Sequence, residues 1–190
     1  MRTKCQRITA AAGIAVLTSG PAMARTVDYG INQTTASIRF STEVARLLDI
    51  DGSFTRFTGH ITLDPDRPGR VGIDVVVDDG KITAPLGAAE TLESPAYLDH
   101  ERFPTIRFHS DSAKILPDHQ FAVTGELTIR GVTRRQVFKG TMTETTAGGV
   151  PAVRLAARSQ LDRSDFGMVA GQSLISNKVT LKISTLLQEP

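Results

Sequence analysis

The chain has 190 residues, enough for one ordinary domain with a sizeable core. Its 22 Lys and Arg stand against 20 Asp and Glu, a balance that lacks the global field of a duplex-binding protein, so no nucleic-acid partner is expected. The single cysteine, Cys5, excludes a disulfide framework, and once the leader read below is removed no thiolate nucleophile or Cys metal site remains.

Residues 1–24 read as a secretory signal peptide. Arg2, Lys4 and Arg7 form a positive n-region, "ITAAAGIAVLT" is a short apolar h-region, and Ala22 and Ala24 supply an A-x-A cleavage pattern. The competing reading is a transmembrane anchor, but a span needs about 20 apolar residues. This stretch is shorter and rich in Gly, Ser and Thr. Removing it takes three cations and no acid, which leaves 19 basic against 20 acidic residues, a net charge of −1 with His neutral. Cys5 precedes the h-region, whereas a lipoprotein cysteine would follow it. The expectation is an exported protein with one mature domain over residues 25–190.

From Thr26 onward the dominant signal is period-two alternation between turn residues. "SIRFST" sets Ile38 and Phe40 against Arg39 and Ser41. "EVARLLDID", residues 43 to 51, breaks the pattern and reads as one or two helical turns. "RFTGHITL" aligns Phe57, Ile61 and Leu63; "DPDRPG" is a turn; "VGIDVVVD" follows with Val71, Ile73, Val75 and Val77 in register. "AAETLESPAYLDHERFP" predicts a short helix with Ser94 as N-cap and Pro95 at the first helical position. "TIRFHS", "FAVTGELTI", "RQVFKGTMTET", "AVRLAARSQL" and "KVTLKISTLL" continue the alternation, for about eight strands in all. In "GELTIRGVTRRQVFKG" two strands are expected to join around Gly131, with Leu127 and Ile129 facing inward. Arg130, Arg134 and Arg135 cluster at the connection, with Lys139 further along.

Eight strands with one apolar face must hide both edges and apolar surface, and closing into a barrel does both. Such a barrel is filled by side chains or holds one small ligand. A two-sheet sandwich is the alternative reading.

Four stretches in order carry a resemblance. "GSFTRFTGHITLD", "LESPAYLDHERFPTIRFHS", "VTGELTIRGVTRRQVFKG" and "LDRSDFGM" together resemble the YceI-like family of exported, lipocalin-like, polyisoprenoid-binding proteins. The match runs from about Tyr29 to Leu187. It implies an all-β, eight-stranded antiparallel lipocalin-like barrel with one or two short helices. It also implies a long apolar channel holding a polyisoprenoid or quinone-like lipid, a periplasmic setting, and no established catalytic residue. Family members often carry a His-Ser pair before the first strand and a His at its end. Here Thr35, Ala36 and Val44 hold those positions, so headgroup contacts by such histidines are not carried over.

The resemblance and the alternation together nominate Ile38, Phe40, Phe57, Ile73, Val75, Phe108, Leu127, Ile129, Phe166 and Ile183 as barrel lining. Each is equally readable as filler of a solid core. In "LDRSDFGM", Arg163 and Asp165 read as an ion pair fixing a loop, with Gly167 in a tight turn and Phe166 tucked under the barrel end. The functional alternative gives Arg163 an anionic headgroup, with Arg134 and Arg135 as further rim contacts. His60, His100, His109 and His119 are dispersed without ligand spacing, so no metal site is expected. With no G-x-S-x-G elbow, a hydrolase is unsupported, and the chain is read as a lipid carrier rather than an enzyme. The expected partners are the lipid and a transient membrane surface, and a monomer or homodimer fits equally. A structural or partner-binding protein with a filled barrel is the runner-up, and an enzyme acting on a barrel-bound lipid stands behind it.

Overall fold

The computed structural model describes residues 26–64 and 71–188. Residues 1–24, read as a leader, and residues 65–70, which include all of the "DPDRPG" turn after Asp64, lie outside the described residues. One antiparallel sheet contains all the strands: β1 (Val27–Ile31), β2 (Ala36–Val44), β3 (Leu48–Phe54), β4 (Phe57–Leu63), β5 (Val71–Asp78), β6 (Ile82–Thr83), β7 (Thr105–Leu116), β8 (Gln120–Ile129), β9 (Val132–Ala147), β10 (Val150–Asp162) and β11 (Ile175–Gln188). A single short helix, α1 (Ala88–Glu93), and a 3-10 turn, Arg163–Phe166, complete the described residues.

The strand order is β1-β4-β5-β7-β8-β9-β10-β11-β2-β3-β6. Its two ends are joined by the chain itself, because β3 near one edge runs straight into β4 near the other. At that corner Thr55 N–H donates to Lys81 O at 2.7 Å and Asp78 N–H to Arg56 O at 3.0 Å. On the far side of β1, Leu186 N–H donates to Thr35 O at 2.9 Å. The sheet therefore curls into a barrel, which hides edges that a flat sheet this wide would expose.

Alternation dictates which face turns inward. Along β8, Phe121, Val123, Leu127 and Ile129 are buried while Glu126 is exposed. The β8–β9 hairpin closes on two residues, with Ile129 paired to Val132. Arg130 (φ 51°) and Gly131 (φ 71°) between them are both left-handed, the geometry of a type I′ turn whose twist matches the strands.

The all-β barrel class is as expected, but the sheet has eleven strands rather than eight. The additions are β1, β3 and the two-residue β6. The predicted helical turns at 43–51 are instead the end of β2, a tight turn at Ala45–Leu47 and the start of β3, with Val44 paired to Leu48. Left-handed backbone at Ala45 and Arg46 makes the reversal. The helix near Ser94 lies before it, not after. Ser94 is the C-cap in extended conformation (φ −65°, ψ 160°), and its hydroxyl donates to Thr91 O at 2.6 Å. Pro95 drives the residue before it out of the helical region, so the helix stops there.

β7 carries a bulge between Ser110 and Ser112, and Gly125 on β8 crosses it. A Cβ on Gly125 would collide with the His109 carbonyl and come within 2.8 Å of the Ser110 Cα. Because backbone cannot step aside as a side chain can, Gly125→Val is expected to cost about 2 kcal/mol or more in urea unfolding.

Candidate functional site

The barrel encloses an apolar cavity of about 280 Å³ whose wall draws on β1 through β5, β7 through β11, α1 and the loops beside it. Ile38, Phe40, Ile73, Val75, Phe108, Leu127, Ile129 and Ile183 stand on this wall. Phe57 and Phe166 do not. Both are 2% exposed and sit within the packed core cluster. Residues on elements that alternation did not reveal also line the cavity, namely Ile31 of β1, Ile50 and Phe54 of β3, and Leu92, Tyr97 and Leu98 around α1. The resemblance held a signal for the last three, since the "LESPAYLDHERFP" stretch contains Leu92, Tyr97 and Leu98.

The cavity has two unlike ends. Phe121, Val123 and Phe138 close the end near the start of β8, where Phe108 and Phe138 rings meet edge-on at 5.0 Å. The other end lies under α1, where exposed Thr91 borders the cavity beside Ala88 and Tyr97. Of the five polar wall residues, Thr42, Thr91, Tyr97 and Arg163 stand at this end. Only Thr185 stands at the other, and its hydroxyl donates to Thr35 O.

Arg163 is the one charged side chain on the wall among the described residues. It is 3% exposed, and the expected pair with Asp165 does not form. Nε donates to Ser176 O at 3.1 Å, one terminal nitrogen to Met168 O at 2.8 Å and the other to Ile175 O at 3.1 Å. The reason lies in β11. Its register with β2 shifts between Ile175 and Val179, which leaves carbonyls without ladder partners, and buried carbonyls need donors. Thr42 Oγ1 helps from the other side, donating to Ser176 O and Lys178 O. The guanidinium also lies 5.9 Å from the Tyr97 ring centroid. At the turn itself Asp162 caps Ser164, accepting its N–H at 2.9 Å and its hydroxyl at 2.5 Å. These bonds hold the Asp162 carboxyl below the usual range. Gly167 (φ 77°) ends the turn, and Phe166 is buried as expected under the barrel end.

The rim arginines fare differently. Arg130 clamps two loops, donating to Gly167 O at 2.9 Å and to Pro95 O at 3.1 Å. Arg135 pairs with Asp111 at 3.1 Å on the exposed outer face. Arg134 sits on the inward phase of β9, opposite Leu127, but beyond the point where β9 has parted from β10. Its side chain reaches solvent and donates to Thr133 O. Neither Arg134 nor Arg135 lines the cavity.

Two polar clusters lie outside the cavity. On the outer face, His109 Nδ1 and Asp74 Oδ1 are 2.6 Å apart and His60 Nε2 lies 3.7 Å from Asp74 Oδ2. The Asp74 carboxylate raises the His109 pKa. Near α1, Asp78, Asp79 and His100 are the one group among the described residues close enough to hold a cation. Its donors are largely engaged already. His100 Nδ1 lies 2.6 Å from Asp79 Oδ1, Gly80 N–H donates to Asp78 Oδ1, and Arg56 sits 3.8 Å from Asp78 Oδ2. Burial pushes the Asp79 carboxyl above its usual range, partly offset by the His100 hydrogen bond. That same bond raises His100 above its ordinary 6.5.

A YceI-like domain model matches residues 29–187, which spans nearly the whole described barrel. The chain belongs to the YceI-like family. A UPF0312 protein of Pseudomonas putida is 29% identical over 180 residues and covers 92% of each chain. Two solved structures share the fold. Burkholderia cenocepacia BcnA superposes with a TM-score of 0.72 at 16% identity, covering 80% of this chain and 96% of its own. A polyisoprenoid-binding domain from Saccharophagus degradans gives 0.64 at 10% identity, covering 87% and 100%. YceI-like architecture thus accounts for the whole barrel.

Replacing Arg163 with Met would take the side-chain donor from Met168 O and Ile175 O and leave Ser176 O only the Thr42 hydroxyl, each lost bond costing on the order of 1 kcal/mol or more when buried. Arg163→Met should therefore lower the unfolding free energy by about 2 kcal/mol or more, read by urea denaturation. The His100 contribution carries a sign. Its folded pKa lies above 6.5, so its stabilisation is fully present below about 6.5 and is lost as pH rises through the folded value. Stability is expected to fall in the parent protein as pH rises from about 6.5 through the raised folded value. His100→Gln should flatten that slope in parallel urea titrations.

Proposed function

We propose that the protein is a periplasmic carrier that holds a long, single-chain isoprenoid lipid, of polyprenyl or isoprenoid-quinone type, inside the barrel. The observation that carries this reading is the cavity, a space of about 280 Å³ with an almost wholly apolar wall. It runs along β8 from Phe121 to Ile129, which at strand rise and barrel tilt is about 20 Å of axis. A space drawn out along the barrel axis in this way fits a linear chain better than a compact ring system. Among the described residues no carboxylate on the wall opposes an apolar guest.

Burial of each methylene contributes about 0.8 kcal/mol, so one five-carbon isoprene unit yields roughly 3 to 4 kcal/mol gross. Association takes several kcal/mol back, and a few units suffice for useful affinity. The polar end of the lipid belongs at the α1 end, where Thr42, Thr91, Tyr97 and Arg163 gather. Three of the five guanidinium N–H groups of Arg163 serve backbone carbonyls, and the remaining two suit an acceptor such as a quinone carbonyl or a phosphate. The polyisoprenoid-binding neighbour from Saccharophagus degradans supports the same ligand class. The leader-like first 24 residues support export. With no cluster of nucleophile and base on the wall, binding rather than turnover is the role proposed.

Ala157 lines the cavity from β10 and is half-buried. Ala157→Phe should fill the slot and weaken uptake of a fluorescent prenyl lipid by about tenfold or more, with the thermal midpoint close to that of the parent. Equal uptake by parent and variant would contradict a barrel-bound chain, as would no uptake by either.

A further inference from the structure

Among the described residues the five most exposed large apolar side chains are Leu86 (92%), Leu47 (86%), Leu174 (63%), Leu48 (61%) and Val169 (60%), ahead of Ile115, Val150, Val137 and Leu116 elsewhere on the barrel. All five lie on connections at the α1 end, around the rim of the cavity. Leu47 and Leu48 form the tip of the β2–β3 hairpin. Val169 and Leu174 belong to the segment between the 3-10 turn and β11. Leu86 immediately precedes α1. These connections are physically joined. Ala45 N–H at the hairpin tip donates to Leu174 O at 2.6 Å, and Gly171 of the second loop packs against the Tyr97 hydroxyl beyond α1.

The backbone is strained at two of these connections, the β2–β3 tip and the turn before α1. Ala45, Arg46 and Leu86 are all left-handed, with φ of 53°, 57° and 58°. That conformation is uncommon for residues other than glycine, and for a bulky leucine it is an outlier. Strain of this kind tends to collect at working surfaces rather than in passive loops. A leucine that is both strained and 92% exposed stabilises nothing in the isolated protein.

We propose that this leucine collar is the surface on which the protein seats on a lipid bilayer to load and unload its cavity. The inference rests on the carrier reading above. A prenyl chain has negligible solubility in water, so the only reservoir for it is a membrane, and transfer is shortest where the mouth touches that membrane. The charge pattern suits a shallow seat driven by apolar contact. Within the tip segment 45–48 the one charge is Arg46, at home among headgroups, while the two carboxylates Glu43 and Asp49 stand opposite each other across the hairpin one step back, out of the tip. Apolar tips backed by charges lie in an interface and do not span it. The collar also relocates the membrane contact, away from Arg134 and Arg135 on β9.

The test compares the mature protein, as its native host produces it, with the triple variant L47S/L48S/L174S in the same form. Flotation with phosphatidylcholine vesicles is measured at low and high salt, beside prenyl-lipid uptake from detergent. The parent is expected to float at both salt concentrations. The variant should bind vesicles at least about tenfold more weakly while melting as the parent does and taking up lipid from detergent equally well. Parent and variant floating alike would overturn the collar. So would a parent that loads lipid from detergent but does not float, including one that instead dimerises through this end. Failure of the parent to load lipid from detergent, with no lipid already present in its organic extract, is a different result, and it removes the carrier reading itself.

Discussion

Everything in this barrel follows from one constraint, that a single antiparallel sheet with an apolar face must close on itself. The chain accomplishes closure at Thr55–Arg56, where β3 passes directly into β4 and so ties one end of the sheet to the other. Once closed, every inward position on β2, β5, β7, β8 and β11 points at the same interior. There are not enough bulky side chains to fill it. Small residues on inward positions, such as Ala157, leave room, and the result is a cavity instead of a solid core.

The α1 end cannot be closed by strands, and its solution is polar. Arg163 buries a guanidinium and donates to three carbonyls, those of Ile175 and Ser176 beside the β11 irregularity and that of Met168 in the loop before it. Arg130 ties the β8–β9 turn to the loops at Pro95 and Gly167. Two arginines thus anchor loops through backbone acceptors, and Arg130 also lies 3.7 Å from the buried Asp99 carboxylate. The same arrangement gives the cavity a polar mouth and an aromatic floor. By contrast α1 buries none of its residues and has no side-chain cap. It is the element at the mouth that depends least on packing.

Strands with uninterrupted alternation were legible in the sequence, and β8 is the clearest case. The strand β3 was not, for a local physical reason. Its inward series is Leu48, Ile50, Gly52 and Phe54, and the third is glycine because the Phe40 ring occupies the place of its side chain. The alternation that marks a strand is therefore broken by a packing partner twelve residues away. Adjacent Leu47 and Leu48 deepened the helical impression, although both are exposed. The wall residues drawn from strong strands were accessible for the same reason, while Ile50 and Phe54 were hidden with β3. Phe57 and Phe166 show the opposite difficulty. Alternation gives the face on which a residue lies but not whether a neighbour packs over it. The direction of the Arg163 guanidinium was also beyond reach, since it depends on a register shift on a different strand.

The central claim is that the cavity is a container for one apolar chain. Native mass spectrometry of the protein recovered from its own host, without added lipid, tests it most directly. The account predicts a population heavier than the bare chain by the mass of one isoprenoid lipid, released into organic solvent and absent from the Ala157→Phe variant. A protein that emerges only at the bare mass, from every membrane condition tried, would contradict it.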